Sequence, residues 1–319
     1  MRQTVLASLF AVAAFALDPA SAAPAMPMTA ESDHPLAGRI VETATGRVLS
    51  GPAALVEMLA DVDIALLGEV HDNADHHAAQ AWLTESLSPA GLAFEMIPVE
   101  AEGRLARLRA AGAARAVIGA ALQWEARGWP DFAMYAPILE AAPAAQVTGG
   151  EVPREALGLA MGHLDMSAAA TLGAAAGRYG LDAPLPEAET EAIAAEMRAA
   201  HCDAIPMEAA RGMVGAQRLR DAALADAALR ARAYGANGYT IVIAGNGHAR
   251  RDRGAPAYIA AARADVTVAA LGLLETQAAA TDWRDYAGPG GDAAALYDYI
   301  WFTAAAPRED PCVAFRARQ

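Results

Sequence analysis

A stretch from Val62 to Gln80 constrains the fold of this chain most, because its pattern changes from strand to helix within a few residues. Residues 62–67 form a short aliphatic and β-branched run, which is typical of a strand buried on both faces. Polar residues follow at positions 68–73, and a helical pattern begins beyond them, with Asp72 or Asn73 as the predicted N-cap. The sequence therefore predicts a strand, a polar turn and a helix, which is the repeating unit of α/β proteins.

The GEVH turn, Gly68 to His71, carries side chains suited to catalysis or ligand binding. Side chains alternate in an extended segment, so we expect Glu69 and His71 to point the same way. His76 and His77 follow in the first helical turn, so three of the chain's seven histidines lie within seven residues. A lone histidine here would more often be structural, but this clustering favours a functional site.

Further strands are predicted at residues 92–97, 145–148, 239–244, 266–273 and 297–303, and helical patterns separate them. The region at about residues 153–235 contains further predicted helices, two of them separated by a Pro-rich segment at residues 182–186. The sequence thus predicts an α/β fold with a largely parallel central sheet flanked by helices. A helical insertion precedes the strand that runs into the GNGH turn, Gly245 to His248.

Polar residues recur where predicted strands end. Glu95 lies near the end of the second strand, and His248 closes the GNGH turn. Ligands of parallel sheets bind beyond the carboxyl ends of the strands, so Glu69, His71, Glu95 and His248 are expected at one edge. Two carboxylates and two imidazoles suffice to hold a divalent metal ion, or to serve a hydrolase with a glutamate as base.

An aromatic segment between two predicted helices contains Trp124, Trp129, Phe132 and Tyr135. Such rings often clamp a pair of helices together. They can equally form the wall of a pocket for a flat aromatic ligand. The sequence leaves both interpretations open.

Residues 1–22 have the features of a cleaved signal peptide. Arg2 precedes an apolar run at positions 5–17, and Ala20-Ser21-Ala22 is a small-residue cleavage site. The mature chain, residues 23–319, is predicted to be a single domain in the periplasm or outside the cell. No lipobox cysteine lies near Ala22, and no later apolar run is long enough to cross a membrane.

Two cysteines, Cys202 and Cys312, remain in the mature chain. In an oxidising compartment an even number favours one disulfide, and two buried free thiols are the alternative. The formal net charge is -14. Such a surface repels phosphate backbones and anionic lipids, so nucleic-acid binding is disfavoured.

Several segments together resemble one protein family: GEVHDNADHHAAQ, the FEM strand end, AQWEARGWPDFAMYAPIL, AQRLRDAALA, VIAGNGHARRDRGAP and the closing WFT and DPC. They are similar to the ChaN-like haem-binding lipoproteins of the wider Tiki and erythromycin-esterase-like superfamily. The resemblance implies an α/β fold, a periplasmic or surface location, and haem binding in haem and iron uptake. It also implies a homodimer and an outer-membrane haem receptor or uptake system as partners. The missing lipobox cysteine is a departure from the lipoproteins of this family.

Three functions remain open on this evidence. For haem binding, the available axial donors are histidines and a tyrosine of the predicted site: His71, His76, His77, Tyr135 and His248. The superfamily also contains metal-dependent hydrolases, and the positions that match their turns are Glu69, His71, Glu95 and His248. An exported domain with a purely structural or partner-binding role needs neither set.

Overall fold

The computed structural model describes residues 32–234, 238–287, 292–310 and 312–313, so the predicted signal peptide lies outside the described residues. Eight strands form one sheet. They are β1 (Ile40–Glu42), β2 (Arg47–Val48), β3 (Ile64–Glu69), β4 (Gly91–Pro98), β5 (Gln146–Glu151), β6 (Thr240–Gly245), β7 (Val268–Glu275) and β8 (Tyr299–Thr303).

The strand order in the sheet is β2-β1-β8-β7-β3-β6-β4-β5. The β1–β2 and β1–β8 pairs are antiparallel, and every other neighbouring pair is parallel. All six residues of β3 and all six of β6 are buried. This burial explains their continuous apolar sequences, because a central parallel strand is covered on both faces.

Helices cover both faces of the sheet. They are α1 (Pro52–Ala60), α2 (Ala74–Leu87), α3 (Glu102–Ala110), α4 (Arg115–Ala121), α5 (Phe132–Ala141), α6 (Arg154–Ala160), α7 (Leu164–Leu172), α8 (Glu187–Ala200), α9 (Met207–Arg232), α10 (Asn246–Ala249), α11 (Ala255–Ala262) and α12 (Ala293–Leu296). The predicted α/β class is confirmed, as is the helical insertion, which comprises α6 to α9 between β5 and β6.

Two separate hydrophobic cores lie on the two faces. Leu67 of β3 packs with α1, α2 and α5 on one face, whereas Leu66 packs with α9 and α11 on the other. The helix that follows β3 and the helix that follows the neighbouring β6 therefore lie on opposite faces. Such a change of side opens a crevice at the carboxyl ends of the two strands. The GEVH and GNGH turns both lie at this crevice.

Cys202 and Cys312 form a disulfide with their Cα atoms 5.5 Å apart, which confirms the predicted pairing. The bond ties the segment after β8 to the turn between α8 and α9. Within the described ranges, no helix is both long and apolar enough to span a bilayer.

Candidate functional site

The GEVH turn forms the first of two ionic clusters at the crevice. Glu69 is the last residue of β3, and its carboxylate is fully buried. Its Oε1 accepts hydrogen bonds from His71 Nδ1 and from the Tyr135 hydroxyl, both at 2.8 Å, and its Oε2 lies 3.1 Å from His77 Nδ1. Burial alone would raise the pKa of Glu69, but the imidazoles of His77 and His71 outweigh it and lower that pKa to about 2. Glu69 is therefore a fixed buried anion.

His77 and Tyr135 hold Glu69 in place. His77 Nε2 donates to the carbonyl of His71 at 2.9 Å, and the ring is 1% exposed. Burial opposes its protonation, but Glu69 outweighs burial, so the pKa of His77 is raised. Burial and then the Glu69 carboxylate raise the pKa of Tyr135 far above its ordinary value, so its hydroxyl keeps its proton. Both nitrogens of His77 and the hydroxyl proton of Tyr135 are therefore engaged within the protein.

His76 points away from this cluster. Its Nδ1 accepts the backbone N–H of Val70 at 2.8 Å, so Nε2 carries the proton and donates to Thr303 Oγ1 at 2.8 Å. The ring is completely buried. Burial is the main cause that lowers the pKa of His76 to about 4. His76 is thus a neutral structural residue that fastens α2 to β8.

The lowered pKa makes His76 a source of pH-dependent stability. Between pH 6.5 and 4 the unfolded chain takes up a proton on this ring and the folded chain does not. The contribution of His76 to the free energy of unfolding is therefore complete above the pKa of the unfolded chain. It decreases as the pH falls, and about 2 kcal/mol of it is lost at pH 5. Urea unfolding at pH 7 and pH 5 should show that His76→Gln removes this part of the pH dependence.

A matched control is His163→Gln, because His163 is exposed. This variant should keep the wild-type difference between the two pH values. An unchanged pH dependence in His76→Gln would show that the imidazole takes up its proton equally in the folded and unfolded states.

The GNGH turn forms the second ionic cluster. His248 Nδ1 lies 2.6 Å from Asp221 Oδ1, and Nε2 lies 3.3 Å from Glu95 Oε1. Glu95 Oε2 accepts the backbone N–H of Gly245 at 2.9 Å. Burial opposes protonation of His248, but Glu95 and Asp221 outweigh it and raise its pKa to about 10. His248 is a buried imidazolium with both nitrogens bound to carboxylates.

The two clusters meet at Gly245. A Cβ atom built on this glycine would lie 3.0 Å from His71 Nε2 and 3.6 Å from Glu95 Oε2. The absence of a side chain at Gly245 is thus what lets the His71 ring lie beside the second cluster. Glu95 and Glu69 both favour the charged form of His71, so they raise its pKa although burial opposes this.

His71 differs from the other histidines of the site. Its side chain is 36% exposed, and Nε2 has no hydrogen-bond partner among the described residues. The ring of Trp129 contacts it edge-on, with ring centroids 5.3 Å apart. The Trp129 Nε1 atom is buried and likewise finds no partner in the described part of the chain. An imidazole nitrogen without a protein partner, beside an aromatic ring, is suited to binding a ligand.

The structure does not support the predicted divalent metal site. It brings Glu69, His71, Glu95 and His248 to one edge, as the sequence indicated. However, the carboxylates bind the imidazoles of these residues and of His77, so apart from His71 Nε2 the donor atoms are engaged within the protein. Across the described ranges, no group of three or more His, Cys, Asp or Glu residues is arranged to hold a metal ion.

The aromatic segment mainly clamps helices. Trp124 is 2% exposed, packs against Trp129, Phe132 and Tyr135, and donates to the carbonyl of Pro130. Trp124 and Phe132 also line a surface cavity of about 720 Å³. Its lining includes no histidine, tyrosine, cysteine or methionine among the described residues. The cavity therefore lacks the axial donors that haem iron requires.

Helix α9 supplies residues whose role the sequence did not reveal. Gln217, Arg220 and Asp221 form a polar group on this helix, and the structure places it against the second cluster. Gln217 lies 3.1 Å from His248 Nδ1, and Arg220 lies 3.5 Å from Glu95 Oε1. Gln217 and Asp221 are four residues apart and therefore share one face of the helix. This spacing is the feature of the sequence that could have identified them as site residues.

Taken together, the fold and site define a doubly wound α/β protein with two buried carboxylate–imidazole clusters at the carboxyl ends of its central strands. The family model described as "Haem-binding uptake, Tiki superfamily, ChaN" matches residues 55–259. The chain belongs to this family.

Solved structures with a similar fold include the one described as "Cofacial heme binding to ChaN of Campylobacter jejuni". It is 17% identical with a TM-score of 0.60, over 82% of this chain and 95% of that chain. The type III effector HopBA1 is 13% identical with a TM-score of 0.43, over 81% and 95% of the two chains. A mutant of the erythromycin esterase EreC, in its open conformation, is 15% identical with a TM-score of 0.35, over 83% and 82%. No curated protein matches this sequence.

Proposed function

We propose that this chain binds haem at the crevice, with His71 Nε2 as the axial ligand of the iron. Membership of the haem-binding uptake family supports haem as the ligand. The observation that carries the proposal is the state of His71: Nδ1 is held by Glu69 at 2.8 Å, and Nε2, which has no partner among the described residues, would give up its proton on binding iron. Metal-binding histidines commonly have their second nitrogen bound to a carboxylate, which orients the ring and strengthens the donor.

The surroundings of His71 also suit a porphyrin. Haem needs an axial donor together with apolar or aromatic surface. Trp129 provides an aromatic ring beside His71. The other four predicted donors, His76, His77, Tyr135 and His248, use their polar atoms within the protein. When bound, haem would supply the iron, and the chain would supply the ligand and the shape of the site.

An absorbance titration of the purified protein with haemin tests this proposal. We expect a saturable change of the Soret band, with the spectrum of a histidine-ligated iron. A change that grows without saturation, equal to that given by the urea-unfolded chain, would contradict haem binding. Binding without histidine ligation in the spectrum would contradict the role of His71.

Gly245→Ala tests the geometry of the crevice. The new methyl group would lie 3.0 Å from His71 Nε2, so the ring must move. Overpacking of this kind costs about 1–3 kcal/mol, and we expect haemin affinity to fall about tenfold. The control is Gly247→Ala, because a Cβ atom there meets nothing within 4 Å in the described structure. Equal haemin affinities in the two variants would contradict this placement of the ligand.

We also propose that the chain is exported and acts in haem uptake. The predicted signal peptide and the disulfide support export, since disulfides persist in oxidising compartments. N-terminal sequencing of the periplasmic or secreted protein should find residue 23 or a near neighbour first. An intact Met1 would contradict export.

A homodimer and an outer-membrane haem receptor complete the proposal. The Campylobacter jejuni ChaN structure is described as binding haem cofacially. A similar arrangement here would bring two haem-loaded crevices face to face. Size-exclusion chromatography with and without haemin should show a haem-dependent dimer, and a monomer under both conditions would contradict it.

A further inference from the structure

Arg220 stands out among the cations near the crevice because its guanidinium is largely unused. Its one carboxylate partner within 4 Å among the described residues is Glu95, with 3.5 Å between Arg220 Nη2 and Glu95 Oε1, and its charge also acts on the adjacent Asp221. The side chain is 37% exposed and donates no hydrogen bond within the described part of the chain. Arginine carries five N–H donors in a planar fork, so most of this donor capacity faces the crevice or the solvent.

Other arginines of α9 show the contrast. Arg218 donates to the carbonyls of Gly180 and Ala183, and so fastens α9 to the segment between α7 and α8. Arg230 binds Asp226 and Glu102. These two side chains are held by short hydrogen bonds to other parts of the fold, whereas Arg220 is held by one longer ion pair.

Glu95 does not need Arg220 as a counter-ion. Its Oε1 faces the His248 imidazolium at 3.3 Å, and its Oε2 accepts the N–H of Gly245. Glu95 nevertheless holds Arg220 at the crevice by charge attraction. The same carboxylate lies near His71. A Cβ atom built on Gly245 would be 3.6 Å from Glu95 Oε2 and 3.0 Å from His71 Nε2. Arg220 is therefore linked through Glu95 to the position at which His71 Nε2 lies.

We propose that Arg220 recognises a carboxylate of the ligand, so that the crevice selects carboxylate-bearing porphyrins. This inference rests on the proposed function and adds a determinant of specificity to it. His71 would bind the iron, and the two propionate groups of haem are carboxylates that a nearby cation can bind. A guanidinium binds a carboxylate through two parallel hydrogen bonds. The chain carries a net charge of -14, which repels an anionic ligand, so a local cation has a large share in its capture.

Fluorescence titrations with protoporphyrin IX and its dimethyl ester test the inference without iron. The ester has the same ring but no free carboxylate. A charge-assisted hydrogen bond corresponds to an affinity change of ~10- to 100-fold. The wild-type protein should prefer the free acid by about this factor, and Arg220→Gln should remove the preference. Arg220→Lys should restore part of it, because lysine keeps the charge and loses the fork.

Arg107→Gln is the matched control. Arg107 is exposed in the last turn of α3. This turn lies near the start of β5, since Arg109 in the same turn donates to the carbonyl of Ala145. Arg107 is thus at the opposite end of the strands from the two clusters. This variant should keep the wild-type preference. An Arg220→Gln protein that loses affinity for both porphyrins equally, or for neither, would overturn the inference, because Arg220 would then act only on the structure or not at all.

The same titrations with haemin and its dimethyl ester separate this inference from the proposed function. If haemin binds with an Arg220-dependent preference but without histidine ligation, carboxylate recognition stands and the role of His71 fails. If haemin shows histidine ligation and the ester binds equally well, haem binding stands and the inference fails. If no porphyrin binds, both fail.

Discussion

His71→Ala is expected to lower haemin affinity by about 100-fold or more and to abolish the spectrum of histidine ligation. Loss of a residue that merely orients a metal ligand typically costs about 10- to 100-fold in affinity, and loss of the ligand itself should reach or exceed that range. The fold should survive, because the side chain is 36% exposed and its one side-chain hydrogen bond under 3 Å is to Glu69. Absorbance titration and the unfolding curve measure the two effects separately.

Rescue by free imidazole makes this experiment specific. The deleted ring leaves space beside Trp129 that is open to solvent, so added imidazole should restore the ligated spectrum in His71→Ala. His76→Gln should bind haemin as the wild-type protein does, because His76 faces Val70 and Thr303 instead of the crevice. A normal haemin spectrum in His71→Ala without imidazole would show that another residue ligates the iron.

The strand-to-helix unit at the start of the site could be predicted because its determinants are local. Six buried residues end in Glu69, and Asn73 caps α2 by accepting the backbone N–H groups of Asp75 and His76. The alternation of side chains placed Glu69 and His71 together, and the structure joins them at 2.8 Å. These features depend on residues that are close together in the sequence, so they can be predicted from the sequence alone.

The roles of the clustered histidines could not be predicted in the same way. His71, His76 and His77 lie within seven residues but have three different environments. Helix α2 turns His76 towards β8 and His77 towards Glu69, and these contacts depend on where the helix lies on the sheet. Clustering indicated a candidate site, but it did not show which imidazole keeps an open nitrogen.

The partners of His248 depend on still longer contacts. Asp221 and Gln217 come from α9, and Glu95 comes from β4. The sequence shows polar residues along this helix, but it does not show which of them meet the strand ends. The disulfide was easier to predict although 110 residues separate its cysteines, because two cysteines allow just one pairing within a chain.

Replacing both cysteines, as in C202A/C312A, is expected to lower the free energy of unfolding by about 3–5 kcal/mol. The bond closes a loop of 110 residues, so it removes much of the conformational freedom of the unfolded chain. Without it the unfolded chain expands and exposes more surface. The urea m-value should therefore rise while the midpoint falls, and the wild-type protein treated with a dithiol reductant should behave in the same way.

The ion pairs of the same segment cannot replace the bond. Arg308 contacts Asp72 and Glu275 at 2.6–2.9 Å, but its side chain is 31% exposed and that of Asp72 is 49% exposed. An exposed pair such as Arg308–Asp72 contributes about 0–1 kcal/mol. Glu275 is 14% exposed, but it also accepts hydrogen bonds from Asn73 and the Ala306 N–H, so loss of Arg308 does not leave it unpaired. Arg308→Gln should therefore cost no more than about 1–2 kcal/mol and leave the m-value unchanged. If C202A/C312A matched Arg308→Gln in both quantities, the C-terminal segment would be opening locally, and the disulfide would contribute little to global stability.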